Sequence, residues 1–238
     1  MFIVDNYFLA IILCVITMLC WGSWGNTQKL AGKTWRYELF YWDYVIGVVI
    51  LALIFAFTLG SMGSNGRGFI EDISQANLPN IGSAFLGGVI FNAANILLSA
   101  AIAVAGMSVA FPVGIGLALV LGVIVNYLGS QKGDPLFLFL GVALITVAII
   151  VNAIAYIRAS SGEQKVTSKG ILLSILAGLL MSFFYRFVAA SMDLDNFISP
   201  AVGKMTPYTA VVVFSFGILI SNFLFNTIMM KKPISGEP

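Results

Sequence analysis

The sequence has no histidine, which removes the commonest metal ligand and the commonest general base together. It has two cysteines, Cys14 and Cys20, both in one apolar run. On a helix their spacing sets them on different faces, so they cannot bridge to each other and no disulfide framework is available. Charge is scarce: 9% of the 238 residues are Asp, Glu, Lys or Arg, against roughly 25% in a soluble chain. The net charge of +2 is too small to draw the protein toward polyanions. These shortages exclude a soluble enzyme of this length, a disordered chain, a nucleic-acid binder and a disulfide-stapled secreted domain. Paired aspartates, a Ser-His dyad, a metal motif and a glycine-rich Lys-Ser/Thr loop are also missing, so neither catalysis nor a cofactor is expected.

Hydrophobic residues, by contrast, make up 60% of the chain. They fall into seven runs, 7–26, 38–60, 81–104, 107–129, 135–157, 170–190 and 208–230, each close to the length that spans a hydrocarbon core. In lipid each run must satisfy its own backbone hydrogen bonds, so each is predicted to be a helix. The expected fold is an all-α polytopic protein with the lipid bilayer as its solvent, placed in the cell membrane. The first run carries Asp5 instead of a positive flank and lacks a small-residue cleavage site, so it does not read as a signal peptide.

The linker 158–169 (RASSGEQKVTSK) has a hinge-like composition. Residues 11–26 and 171–186 echo each other, with apolar residues followed by Trp21 and Trp24 in one and Phe183, Phe184 and Tyr185 in the other. A repeat with that offset would hold five helices, and an odd number inverts the second copy in the membrane. The expected organisation is a first repeat over 1–158, a hinge over 159–169 and an incomplete second repeat of two helices over 170–238. Counting positive charges puts Lys29, Lys33, Arg36, Arg158, Lys165, Lys169, Lys231 and Lys232 on one side and Arg67, Lys132 and Lys204 on the other. The richer side should be cytoplasmic, which sets the N-terminus outside.

Ionisable groups at membrane depth cost about 2.5–3.5 kcal/mol each on insertion scales, so they point to function. Asp43 in YWDYVIG is read as a buried carboxylate for a proton, a cation or a solute hydroxyl, with wetting at an aromatic belt as the alternative. Glu38 is read as interfacial. Lys29 could snorkel or pair with Asp43 or Glu38, and Arg186 in SFFYRFVAAS could snorkel or turn inward. Asn92 and Asn95 share a helix face and suit a solute with donors and acceptors, while Asn126, Asn152, Asn222 and Asn226 are read as helix–helix glue. Pro112, Gly114 and Gly116 interrupt the fourth run, either as a moving region or as a simple kink.

Residues 69–127 carry Phe69, Ile70, Ser74, Gln75, Asn77 and Pro79, then Gly87, Gly88, Val89, Asn95, Gly106, Ser108, Val109, Asn126 and Tyr127. In this order and spacing they resemble the plant-type ureide permeases, as do Tyr41-Trp42-Asp43-Tyr44 and Leu59-Gly60. The start Trp21-Gly22-Ser23-Trp24-Gly25-Asn26 is similar also to bacterial glucose/ribose porters. Both groups belong to the drug/metabolite transporter superfamily. The resemblance implies a ten-helix, five-plus-five fold that takes up small polar metabolites by secondary transport, often with protons. Three further helices, or a second copy of the chain, are then expected to complete the second half. It also implies an N-terminus inside, against the charge count, so orientation stays open.

The functional expectation is a secondary active transporter of a small polar solute, a sugar or a ureide-like amide. Trp21, Trp24, Asn26, Asn92 and Asn95 would touch the solute. Asp43 would couple transport to a proton or cation, with Lys29 and Arg186 as charged accessories, and Pro112, Gly114 and Gly116 would act as hinge. The alternatives are an exporter of lipophilic cations or amino acids and a seven-helix receptor. A retinal protein needs a lysine within its last helix, and 208–230 holds none.

Overall fold

The computed structural model describes residues 1–32, 35–131, 133–159, 167–232 and 234. Among them regular structure is helical, with an isolated bridge between Met192 and Met205. The elements are α1 (Tyr7–Ala31), α2 (Tyr37–Phe57), α3 (Phe69–Gln75), α4 (Leu78–Ala105), α5 (Met107–Ala110), a π-helical turn (Phe111–Ile115), α6 (Gly116–Ser130), α7 (Pro135–Ala159), α8 (Ser168–Ala190) and α9 (Pro207–Lys231). Every apolar run becomes one membrane-length helix, the fourth being the continuous stretch Met107–Ser130. The chain is an all-α, polytopic integral membrane protein.

Side chains start the helices where the sequence offers caps. Asn6 Oδ1 accepts from the Phe8 and Leu9 amides at 2.8 and 3.2 Å, starting α1. Asp134 Oδ1 accepts from the Leu136 amide at 2.8 Å, with Pro135 pre-set at the first position of α7. Asn77 Oδ1 accepts from the Asn80 amide at 3.0 Å at the head of α4. Between α4 and α5 stands one residue, Gly106, at φ 76°. A side chain there would be strained, so glycine lets two spans reverse direction without a loop. Pro112 has no amide hydrogen to give the preceding turn, and the helix widens to π geometry around it.

Packing divides the chain into two compact units. The first comprises Met1–Val89 and Phe187–Phe223, the second Ile90–Arg186 and Leu224–Pro238. In the first, α4 and α9 touch backbone to backbone. A Cβ on Gly88 would land inside the Phe214 carbonyl oxygen, and one on Gly217 inside that of Phe85. In the second, a Cβ on Gly178 of α8 would lie 2.5 Å from the Gly114 carbonyl oxygen of the π turn. Small residues serve this close approach because lipid gives helices little hydrophobic reason to associate. Hardly any residue of α7 is buried, and Leu136, Phe137, Leu144 and Val151 project outward as lipid-facing residues should. The expected hinge 159–169 lies mostly outside the described residues, at 160–166. The five-plus-two repeat boundary there stays an expectation.

Candidate functional site

In the first unit, α2 buries a stripe of Tyr37, Glu38, Tyr41, Val45, Val49, Ala52 and Ala56. Glu38 stands in its first turn, where the helix dipole favours a negative charge. Its carboxylate is 1% exposed and is held by Arg36, with Nη2 to Oε1 at 3.1 Å and Nε to Oε2 at 3.4 Å. That hydrogen bond raises the Arg36 pKa above its ordinary value. One turn on, the Tyr41 ring lies 5.5 Å from that of Tyr44, and Tyr44 lies 5.7 Å from Trp24 of α1. The Trp24 indole N–H is buried without a hydrogen-bond partner. Gln28, one turn beyond Trp24, is buried as well. The result is an aromatic group next to a buried carboxylate, with a polar hydrogen to offer. A flat polar solute can stack on such rings while donating to or accepting from their edges.

The same unit contains a dense polar knot. Asp72 of α3, fully buried, accepts from Arg67 Nε at 2.9 Å and from the Thr206 amide at 2.7 Å. Arg67 also donates to the carbonyls of Pro200 and Lys204, at 3.0 and 2.9 Å. Gln75 donates to the Lys204 carbonyl at 2.8 Å and accepts from the Gly203 amide at 2.7 Å. The Asn77 amide and the Asn80 side chain both donate to the Gly203 carbonyl, at 3.1 and 2.7 Å. Gly203 is at φ 83°, and a Cβ there would press on the Asn77 side chain. The connection between α2 and α4 thus contains the short helix α3. Its Gln75 and Asn77 are structural, fixing the segment that leads into α9.

The second unit carries an amide stripe on α4. Asn92, Asn95 and Ser99 are all buried on one face. Ser99 Oγ bonds the Asn95 carbonyl oxygen at 3.0 Å, and the Asn95 Nδ2 has no partner. Gly114 and Gly116 are close-contact points: added Cβ atoms would meet Leu98 at 3.1 Å and Ile149 at 3.1 Å respectively.

The expected site residues therefore separate. Asn92 and Asn95 are buried, and Trp24 is half-buried with its indole nitrogen enclosed. Trp21, Asn26 and Lys29 lie on the exposed side of α1. Asp43 is exposed too, which corrects its reading as a buried carboxylate. It stands two residues past Tyr41, about 200° around the helix from the buried stripe. Position along a run gives depth but not rotation, and rotation buries Glu38 instead. Arg186 is exposed and lies across Gly129 of α6, where an added Cβ would coincide with its guanidinium, so it does not turn inward. Glu38, Gln28 and Tyr41 were missed as site residues. The i, i+4, i+8 spacing of Tyr37, Tyr41 and Val45 was the available signal.

A sequence model described as ureide permease matches residues 40–170. Ureide permease 2 of Arabidopsis thaliana is 24% identical, over 100% of this chain and 76% of its own length. Ureide permease 1 of the same plant is 23% identical, over 100% and 75%. Probable ureide permease A3 of Vigna unguiculata is 26% identical, over 66% of this chain and 43% of its own. No solved structure gives a significant match.

Proposed function

This chain belongs to the ureide permease family, and on that premise we propose that it is a secondary active membrane transporter of a ureide-like solute, coupled to protons through Glu38. The carrying observation is the buried Glu38 carboxylate, paired with the half-exposed Arg36, one turn before the Tyr41 ring of the Trp24–Tyr44–Tyr41 group. A planar ureide stacks on such rings, and its N–H groups seek acceptors. A carboxylate removed from water must stay paired or take up a proton. Glu38 can exchange its Arg36 bonds for a proton, and that choice gives the cycle two states. Trp24 contacts solute in the first unit; in the second unit, taken by itself, the face of α4 that carries Asn92 and Asn95 is the candidate lining, with the Asn95 Nδ2 as its donor. The π turn around Pro112, with Gly114 and Gly116, supplies the hinge.

The test is uptake of radiolabelled allantoin by the purified chain in proteoliposomes under an imposed proton gradient. Wild type should concentrate allantoin. Glu38→Gln should equilibrate it without concentrating it, and Asp43→Asn should still concentrate it. Concentration by Glu38→Gln at the wild-type level would remove the coupling role. A second reading is export of lipophilic cations, which an acid among aromatic rings also suits. Glu38 sits in the first turn of α2, shallow for such a pump. Competition by quaternary amines but not by ureides or glucose would favour that reading instead.

A further inference from the structure

We infer that Asn222 of α9 selects the solute, its carboxamide pairing edge to edge with an adjacent N–H and C=O of a ureido or cyclic amide group. This rests on the transporter reading above and names the residue that makes the transport specific. Asn222 is completely buried, and neither its Oδ1 nor its Nδ2 has a hydrogen-bond partner. A buried amide with both halves unpaired is rare in a folded protein and calls for an explanation.

Other polar groups in the spans take a local solution that Asn222 does not. Asn126 folds its Nδ2 back onto the Gly122 carbonyl at 2.7 Å. Ser215 and Ser221 do likewise with the Val212 and Gly217 carbonyls, each at 2.7 Å. The carbonyl one turn before Asn222, that of Ile218, already accepts from Ser221 Oγ at 3.1 Å. The Asn222 amide therefore keeps both a donor and an acceptor to offer. Next to it, Phe223 packs on Trp42 with ring centroids 4.9 Å apart, so this stretch of α9 neighbours the helix that carries Glu38 and Tyr41.

The complement of a carboxamide is a group with an acceptor and a donor side by side. A ureide has that edge. A sugar hydroxyl puts both functions on one oxygen and satisfies only one half at good geometry. A quaternary amine has neither. A site built around such a pair rejects analogues that lack it, because the protein group is then left unpaired.

The experiment compares allantoin with an N-methylated analogue as competitors for radiolabelled allantoin uptake in proteoliposomes of the full chain. Wild type should prefer allantoin by about tenfold or more, the scale of one lost pairing. Asn222→Leu should lower that ratio toward one while melting no earlier than wild type in detergent, since it removes an unpaired polar group. Asn222→Asp, which keeps the acceptors and loses the donor, should also lose the preference and decides the matter should the leucine variant fail to fold. Asn126→Leu should keep the wild-type ratio. An unchanged ratio in Asn222→Leu or Asn222→Asp overturns the inference and leaves the transporter reading standing. Absence of allantoin uptake by wild type overturns that reading and the inference with it.

Discussion

Asp72→Asn should be the most damaging conservative change outside the spans. Asp72 accepts three hydrogen bonds, from Arg67 Nε and, at 3.4 Å, Gln75 Nε2 on Oδ1 and from the Thr206 amide on Oδ2. An asparagine of the same shape has one oxygen, so its NH2 group must face one of those donors. The change also takes away the charge opposite Arg67, whose side chain is only 21% exposed. Removing one member of a buried pair costs about 3–5 kcal/mol, and the partial exposure of Arg67 points to the lower end, about 3 kcal/mol. In a chain of this size about 2–4 °C follows each kcal/mol, so the melting temperature should fall by roughly 6–12 °C. The assay is thermal unfolding of purified protein in detergent, followed by tryptophan fluorescence. Ser74→Ala provides the comparison: its hydroxyl bonds only the Ile70 carbonyl, at 2.6 Å on an exposed face, and its melting point should hardly move. A fall of less than about 2 °C for Asp72→Asn would show that the knot does not hold the start of α9, because no surface substitution needs more than that.

Gly217→Ala forces a methyl group into the Phe85 carbonyl and should cost about 1–3 kcal/mol by overpacking, read as earlier melting. An unchanged melting point would mean that α4 and α9 are not in backbone contact. Pro112→Ala restores an amide donor to the π turn, so thermal stability should rise while the allantoin uptake rate falls. Equal uptake by that variant would remove the hinge role.

The seven runs were legible because the bilayer imposes one solution on any long apolar segment. Each run became a helix within a few residues of its expected ends. The family resemblance was legible too, since the order of short motifs over residues 69–127 survives without any knowledge of packing. The role of those motifs was not. Gln75 and Asn77 could have touched solute, and instead they bind the Gly203 backbone more than a hundred residues away.

The sequence by itself determined the solvent, the number of spans within the described chain and the class of solute its family handles. The first two follow from composition and from period, which are properties of neighbouring residues, and the last from the resemblance in motif order alone. Tertiary structure alone decided which carboxylate is buried. Asp43 and Glu38 are five residues apart in one helix and equally polar, and the spacing of Tyr37, Tyr41 and Val45 marks a face beside Glu38 without saying that this face turns inward. Only the choice of which face of α2 turns inward separates the two carboxylates, and that choice is made by the contacts of Tyr37, Tyr41 and Val45 with the rest of their unit. The same holds for Asn222 and Asn126: both are amides in apolar helices, and one satisfies itself on its own backbone while the other is enclosed by neighbours that offer it nothing.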